Sequence, residues 1–171
     1  MAAEGGAEIK GAYFVTEIDQ NNLVMGTWST GILGCINVGS LSLCCMATFC
    51  PCVSLAQIAH RVGMYKYWTV LTAFMVLFGV YVALALLEST VSKLFVFGMW
   101  AVTIVALLAI SVIRKNVRER FQIPGSACED VVCSCIFSCC VVGQMSLHVD
   151  SIDKDSCHFG PKDTLPGYNS Q

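Results

Sequence analysis

The sequence predicts an all-α membrane protein, an antiparallel two-helix transmembrane hairpin flanked by two cysteine-rich, membrane-proximal helical segments. Three observations lead there. Only 13% of the 171 residues are charged and the mean hydropathy is +0.67, whereas roughly a quarter of an ordinary soluble domain is charged. So few charges cannot cover a water-facing surface, and part of the chain must meet lipid or other subunits. Two runs of 20 uncharged residues, 68–87 and 94–113, each make a helix about 30 Å long, the thickness of a bilayer's hydrocarbon core. Finally, nine of the eleven cysteines lie in two short windows on either side of these runs.

Only residues 88–93 separate the runs, so the two helices are antiparallel neighbours joined by a tight turn. Arg61 and Lys66 precede the first span, and Arg114, Lys115, Arg118 and Arg120 follow the second, whereas the loop carries Lys93 beside Glu88. The positive-inside rule puts the basic flanks and both termini in the cytosol. Tyr65, Tyr67 and Trp68 are interfacial anchors at that end, and Gly79 and Ala83 form a small-xxx-small pair suited to close helix approach. Beyond the second span, Val117 and Phe121 fall on one helical face and Arg114 and Arg118 on another. This basic juxtamembrane helix is expected either to lie on anionic inner-leaflet lipids or to act as a stop-transfer signal. Residues 123–125, Ile-Pro-Gly, end it. Residues 41–59 and 131–147 are also free of charge. A four-span arrangement using them would move both termini outside; their cysteines and Pro51 favour two spans.

The first window holds Cys44, Cys45, Cys50 and Cys52; the second holds Cys128, Cys133, Cys135, Cys139 and Cys140. Pro51 cannot donate a backbone hydrogen bond, so a helix breaks at Cys50 and a new one starts at Pro51, running to about Val62 before Gly63. Such a break turns two sulfurs toward one point, a setting for a soft cation such as zinc or cadmium. Ser126 and Glu129 form a capping box that starts a helix near Ala127. On one continuous helix, Cys133, Cys140, Gln144 and His148 share a stripe with Glu129 and Asp130 at its start. Three chemistries fit these cysteines: packing as small hydrophobes, juxtamembrane palmitoylation, and metal ligation. The candidate ligands are Cys44, Cys45, Cys50, Cys52, Cys133, Cys135, Cys139, Cys140 and His148.

The net charge of −2 and the lack of a basic arm give no footprint for nucleic acid. Residues 1–25 are polar and acidic, with Glu4, Glu8, Glu17 and Asp19. They lack the pattern of a cleaved secretory signal, so thiols facing a reducing compartment are expected. The chain divides into a mobile start (1–25), a cysteine-rich membrane domain (26–149) and a mobile tail (150–171). Cys157 and His158 are adjacent in that tail, but a nucleophile and its base are normally brought together by the fold, and no enzyme is expected.

Trp28, Gly31, Cys35, the string CCMATFCPC over 44–52 with Pro51, then Gln57, the two apolar spans, and a second cluster closing at Gln144 carry a family likeness. From Trp28 to Val149 the chain resembles the placenta-specific eight family, which includes cornifelin, plant cadmium-resistance proteins and fruit-weight or cell-number regulators. Where acidic residues are frequent in that pattern this chain has Gly34 and Asn37, which weakens any calcium-type site there. The resemblance implies a small, self-associating plasma-membrane protein linked to zinc or cadmium efflux or to control of cell number. Together with the cysteine windows it leads to the expectation of a homo-oligomer that mediates or regulates zinc or cadmium transport, or alternatively, from the juxtamembrane cysteines, of a palmitoylated scaffold regulating cell number or growth. Two spans are too few to enclose a pore, so transport requires several copies.

Overall fold

A computed structural model describes residues 18–34, 41–90, 93–152 and 158–168. Cys35, Asn37 and Cys157, which the sequence singles out, lie outside the described residues, as do residues 1–17. Among the described residues six helices occur, in the order α1 (Leu41–Phe49), α2 (Pro51–Arg61), α3 (Tyr67–Thr90), α4 (Phe95–Arg120), α5 (Ala127–Ile136) and α6 (Ser138–His148).

α3 and α4 are the two elements long and apolar enough to cross a bilayer. An uncharged chain in lipid must satisfy its own backbone groups, and the helix does so within one segment. The few hydroxyls are satisfied the same way: Thr72 donates to the carbonyl of Trp68 at 2.7 Å, Thr103 to Met99 at 2.9 Å and Ser111 to Leu107 at 2.8 Å. The hairpin packs closely at Gly98, where an added Cβ would lie 3.2 Å from Leu84 Cδ1. Gly79, one of the small pair expected at a helix contact, instead meets nothing within 4 Å and, with Ala83, faces outward.

The other two charge-free runs are V-shaped. α1 and α2 meet at a 110° bend and α5 and α6 at 117°, and each arm is about 14–17 Å long, half a hydrocarbon core. Neither run is a straight crossing; each bent pair has the length and composition of a broken span or a re-entrant loop. In the first elbow Pro51 occupies the first position of α2 and Cys50 is its N-cap; Gly63, at φ +66°, ends the helix region. In the second, Ser126 caps α5 by accepting the Glu129 N–H at 3.2 Å, as its capping-box pattern predicts. Phe137 interrupts the run with φ −126° and ψ 43°, so the stripe expected to join Cys133 to His148 on one helix does not exist.

The core sits at the basic end of the hairpin. Leu55 and Ile58 of α2, Ile113 and Val117 of α4, and Val141 and Met145 of α6 close around Phe121, which is fully buried. Residues 158–168, expected to be mobile, pack across this end. Gln57 Nε2 donates to the carbonyls of His158 and Gly160 at 2.7 and 2.9 Å, and the Tyr67 hydroxyl donates to that of Phe159 at 2.6 Å. Leu165 is buried and Tyr168 stacks on Phe121 at 5.6 Å. The strap supplies carbonyls to a buried amide and apolar cover to an otherwise open core, and these contacts outweigh its polar composition. Burial, followed by its hydrogen bond to Asp19, pushes the Tyr168 phenol up to about 12, so it stays a neutral donor; nearby Arg120 opposes the shift.

Phe121→Ala should lower stability by about 3–5 kcal/mol, the usual cost of emptying a buried phenylalanine site. Thermal unfolding of the detergent-solubilised protein measures it, and Gly79→Ala, in open space, should leave the transition nearly unmoved.

Candidate functional site

The polar residues of the second cysteine window converge, but on an arginine. Arg114 lies on α4 one helical turn before Arg118, and the Pro124-Gly125 turn folds α5 back beside both. Arg114 Nε donates to Asp130 Oδ1 at 3.2 Å and Arg118 Nε to Asp130 Oδ2 at 3.0 Å. Arg114 Nη1 donates to Gln144 Oε1 at 2.7 Å, and Gln144 Nε2 donates onward to the Thr30 carbonyl at 2.8 Å. The Arg114 guanidinium also sits 4.5 Å over the Trp28 ring, a cation–π contact. The Arg114 and Asp130 side chains are 4% and 3% exposed, so each charge depends on the other and on the hydrogen bonds around it.

This places four of the sequence's candidates. Trp28 is the ring beneath Arg114, Gln144 is its amide partner, and Gln57 anchors the strap from α2. The fourth, His148, proposed as a ligand, is 1% exposed between Phe121 at 4.6 Å and Trp28 at 5.2 Å. Its Nδ1 accepts the Ser29 N–H at 3.1 Å, which puts the proton of the neutral ring on Nε2, an atom without a hydrogen-bond partner among the described residues. Burial lowers its pKa to about 4. His148 is a packed core side chain that joins the segment around Trp28 to α4 and α6.

The basic juxtamembrane residues divide in the same way. Arg114 and Arg118 turn inward to Asp130, and Arg120 Nη1 donates to the Val62 carbonyl at 2.7 Å. Lys115 is exposed and pairs with Glu119 at 3.6 Å. The expected cationic face on the membrane surface therefore shrinks to Lys115 and the exposed part of Arg120, because an acidic side chain on α5 offers the other two a desolvated partner. The signal that points to this centre is Asp130 sixteen residues after Arg114, across a Pro-Gly turn.

The cysteines fall into three settings. Cys44, Cys50 and Cys52 are half-buried and pack with buried Cys140 in one apolar cluster around Leu43, Met46 and Val53. Cys133 is half-buried against the main core. Cys128, Cys135 and Cys139 are exposed, and Cys45 is half-buried. Cys139 Sγ lies 4.0 Å from Cys140 Sγ. Among the described residues no group of three His, Cys, Asp or Glu side chains is placed to hold a metal ion. The first elbow, Thr48 to Cys52, faces a cleft of about 560 Å³ whose other walls are Phe74, Phe78 and Tyr81 of α3 and Thr103, Ala106 and Ile110 of α4. These α3 residues lie roughly 10–20 Å along the helix from Tyr67, so the elbow stands beside the half of the hairpin nearer its basic end.

The sequence profile of the PLAC8 family matches residues 28–148. No curated protein matches, and no solved structure does.

Asp130→Asn leaves Arg114 and Arg118 facing a neutral amide in a dry site, and should cost about 3–5 kcal/mol; Lys115→Gln, exposed, should cost less than about 1 kcal/mol. Chemical unfolding in detergent compares them. His148 also predicts an acid dependence. Its pKa in the folded protein lies below the ordinary value of 6.5, so the unfolded chain takes up the proton first. The stabilisation is intact above pH 6.5 and is lost as pH falls toward about 4, by on the order of 3 kcal/mol. A His148→Phe variant should show a flatter profile over that window.

Proposed function

Because this chain belongs to the PLAC8 family, we propose that it is a membrane protein that mediates or regulates the passage of soft divalent metal ions, zinc or cadmium, as a homo-oligomer. The observation that carries this reading is the Cys50-Pro51-Cys52 elbow, which brings two thiols to a cleft beside the spanning helices. A thiol pair is half of a tetrahedral soft-metal site. Because the described residues of one chain supply no third ligand at either window, the remaining ligands come from another copy. The outward-facing Gly79 and Ala83 suit close approach between copies in lipid. Two spans enclose no pore, so the route runs between subunits. It is passive or coupled to another gradient, since the sequence has no phosphate-binding loop to power a pump. The protein resides in the plasma membrane with both termini in the cytosol, and is not an enzyme.

A second reading, a membrane scaffold that regulates growth without transport, is favoured by the apolar lining of the cleft and by the exposed thiols that lie away from it. Metal content separates the two. Expressed in a metal-sensitive, transporter-deficient cell, the wild type should change zinc or cadmium content, and Cys50→Ser with Cys52→Ser should abolish the change. Loss of two direct ligands should weaken metal binding by at least the roughly 10–100-fold that follows loss of an outer-shell partner. Metal content that is the same in wild type and variant leaves the scaffold. Gly79→Ile should shift the detergent-solubilised particle toward monomer while leaving its unfolding transition in place, because an added side chain meets nothing within the chain.

A further inference from the structure

The Asp130 ion pairs do more than neutralise two arginines, because they set the rotation of α5. With Asp130 and Ser134 turned into the protein, 2% and 0% exposed, the opposite side of the helix must face outward. At 100° per residue that side carries Cys128, Val131, Val132, Cys135 and Ile136. All five are exposed, Val132 at 54% and Ile136 at 65%. Apart from the exposed Glu129 at its start, this face carries only valine, isoleucine and thiols, which do not meet water favourably.

Its position says what covers it. α5 folds back along α4 from the Arg118 level, where Arg118 holds the Gly125 carbonyl and Asp130 meets both Arg118 and Arg114, and Cys135 lies about 10 Å further toward the spans than Cys128. Trp100 and Ile104, on the same side of α4 as Arg118, are 64% and 52% exposed on the spanning part above. The α5 stripe therefore continues the lipid-facing surface of the hairpin down to the basic headgroup level. We propose that this stripe is immersed in the leaflet on the basic side of the hairpin, and that Cys128 and Cys135 are sites of S-acylation.

The chemistry is a thioester exchange. The cysteine sulfur attacks the carbonyl carbon of a long-chain acyl-coenzyme A, the new S–C bond forms as the bond to the coenzyme A sulfur breaks, and that sulfur leaves with the cysteine's proton. No oxidant or reductant is consumed. The acyl chains then enter the leaflet beside Val132 and Ile136. Cys44, Cys50 and Cys52 are half-buried and turn toward the apolar cluster or the cleft, whereas Cys128 and Cys135 are exposed on the stripe itself. The assignment is independent of the metal reading, since α5 lies outside the cleft walls.

Thioester-exchange mass tagging of the full chain expressed in eukaryotic cells tests it. Hydroxylamine-dependent tags should appear on the wild type, disappear in a Cys128→Ser, Cys135→Ser variant, and persist in a Cys44→Ser, Cys45→Ser variant. An untagged wild type, or tags that survive loss of Cys128 and Cys135, overturns the acylation. A readout that needs no variant checks the immersion: wild-type protein in vesicles of a phosphatidylcholine bearing a diazirine acyl chain, photolysed and mapped by mass spectrometry. Crosslinks in the 128–136 peptide are expected; labelling of the peptide around Trp100 with none in 128–136 overturns the placement.

Discussion

A carboxylate shared by two arginines at the basic end of the hairpin is the constraint on which the rest of the structure rests. Arg114 is 3% exposed, and an arginine cannot shed its charge, so leaving it there requires acceptors on every side. Asp130 comes from α5, Gln144 from α6, the Trp28 face from the segment before α1, and Thr30 holds Gln144 in turn. One side chain thereby ties together four parts of the chain that the sequence spreads over more than a hundred residues. Packing alone would not specify these orientations as sharply, because apolar side chains tolerate rotation and sliding whereas a buried ion pair does not.

The placement of the sulfurs follows from that tie. With α5 held by Asp130 and α6 by Gln144, the 117° bend at Phe137 sends Cys140 into the cluster with Cys44, Cys50 and Cys52 and leaves Cys128 and Cys135 on the outside. The two windows thus meet through packed sulfurs, while the polar residues among them serve the arginine. This separation explains how the chain combines dense cysteines with a few buried polar side chains. Trp28 and Gln144 build the frame, and the Cys50-Pro51-Cys52 elbow presents thiols to the cleft.

Parts of this architecture were legible in the residues. Hydrophobic length alone specifies α3 and α4, because lipid admits only a segment that satisfies its own backbone. Pro51 and the Ser126–Glu129 pair mark helix starts through local chemistry that does not depend on the fold. His148 was not legible as a core residue: its spacing from Cys140 and Gln144 suits a ligand stripe, and only the break at Phe137 shows that the stripe is divided. Arg114 and Arg118 read as surface cations for a similar reason, since burial of a charge depends on a partner sixteen or twelve residues away, brought close by a turn. Residues 158–168 look like a polar tail until Gln57 and Phe121 are seen to need cover.

By itself, then, the sequence determined the spanning hairpin, the helix starts and the existence of two cysteine windows, because each follows from interactions within about one turn or from the thickness of a bilayer. Which cations are buried, which thiols are exposed and which way each elbow points were decided only by tertiary structure. These depend on where Asp130, Gln144 and Trp28 meet Arg114, and no local pattern encodes a contact made across a hundred residues.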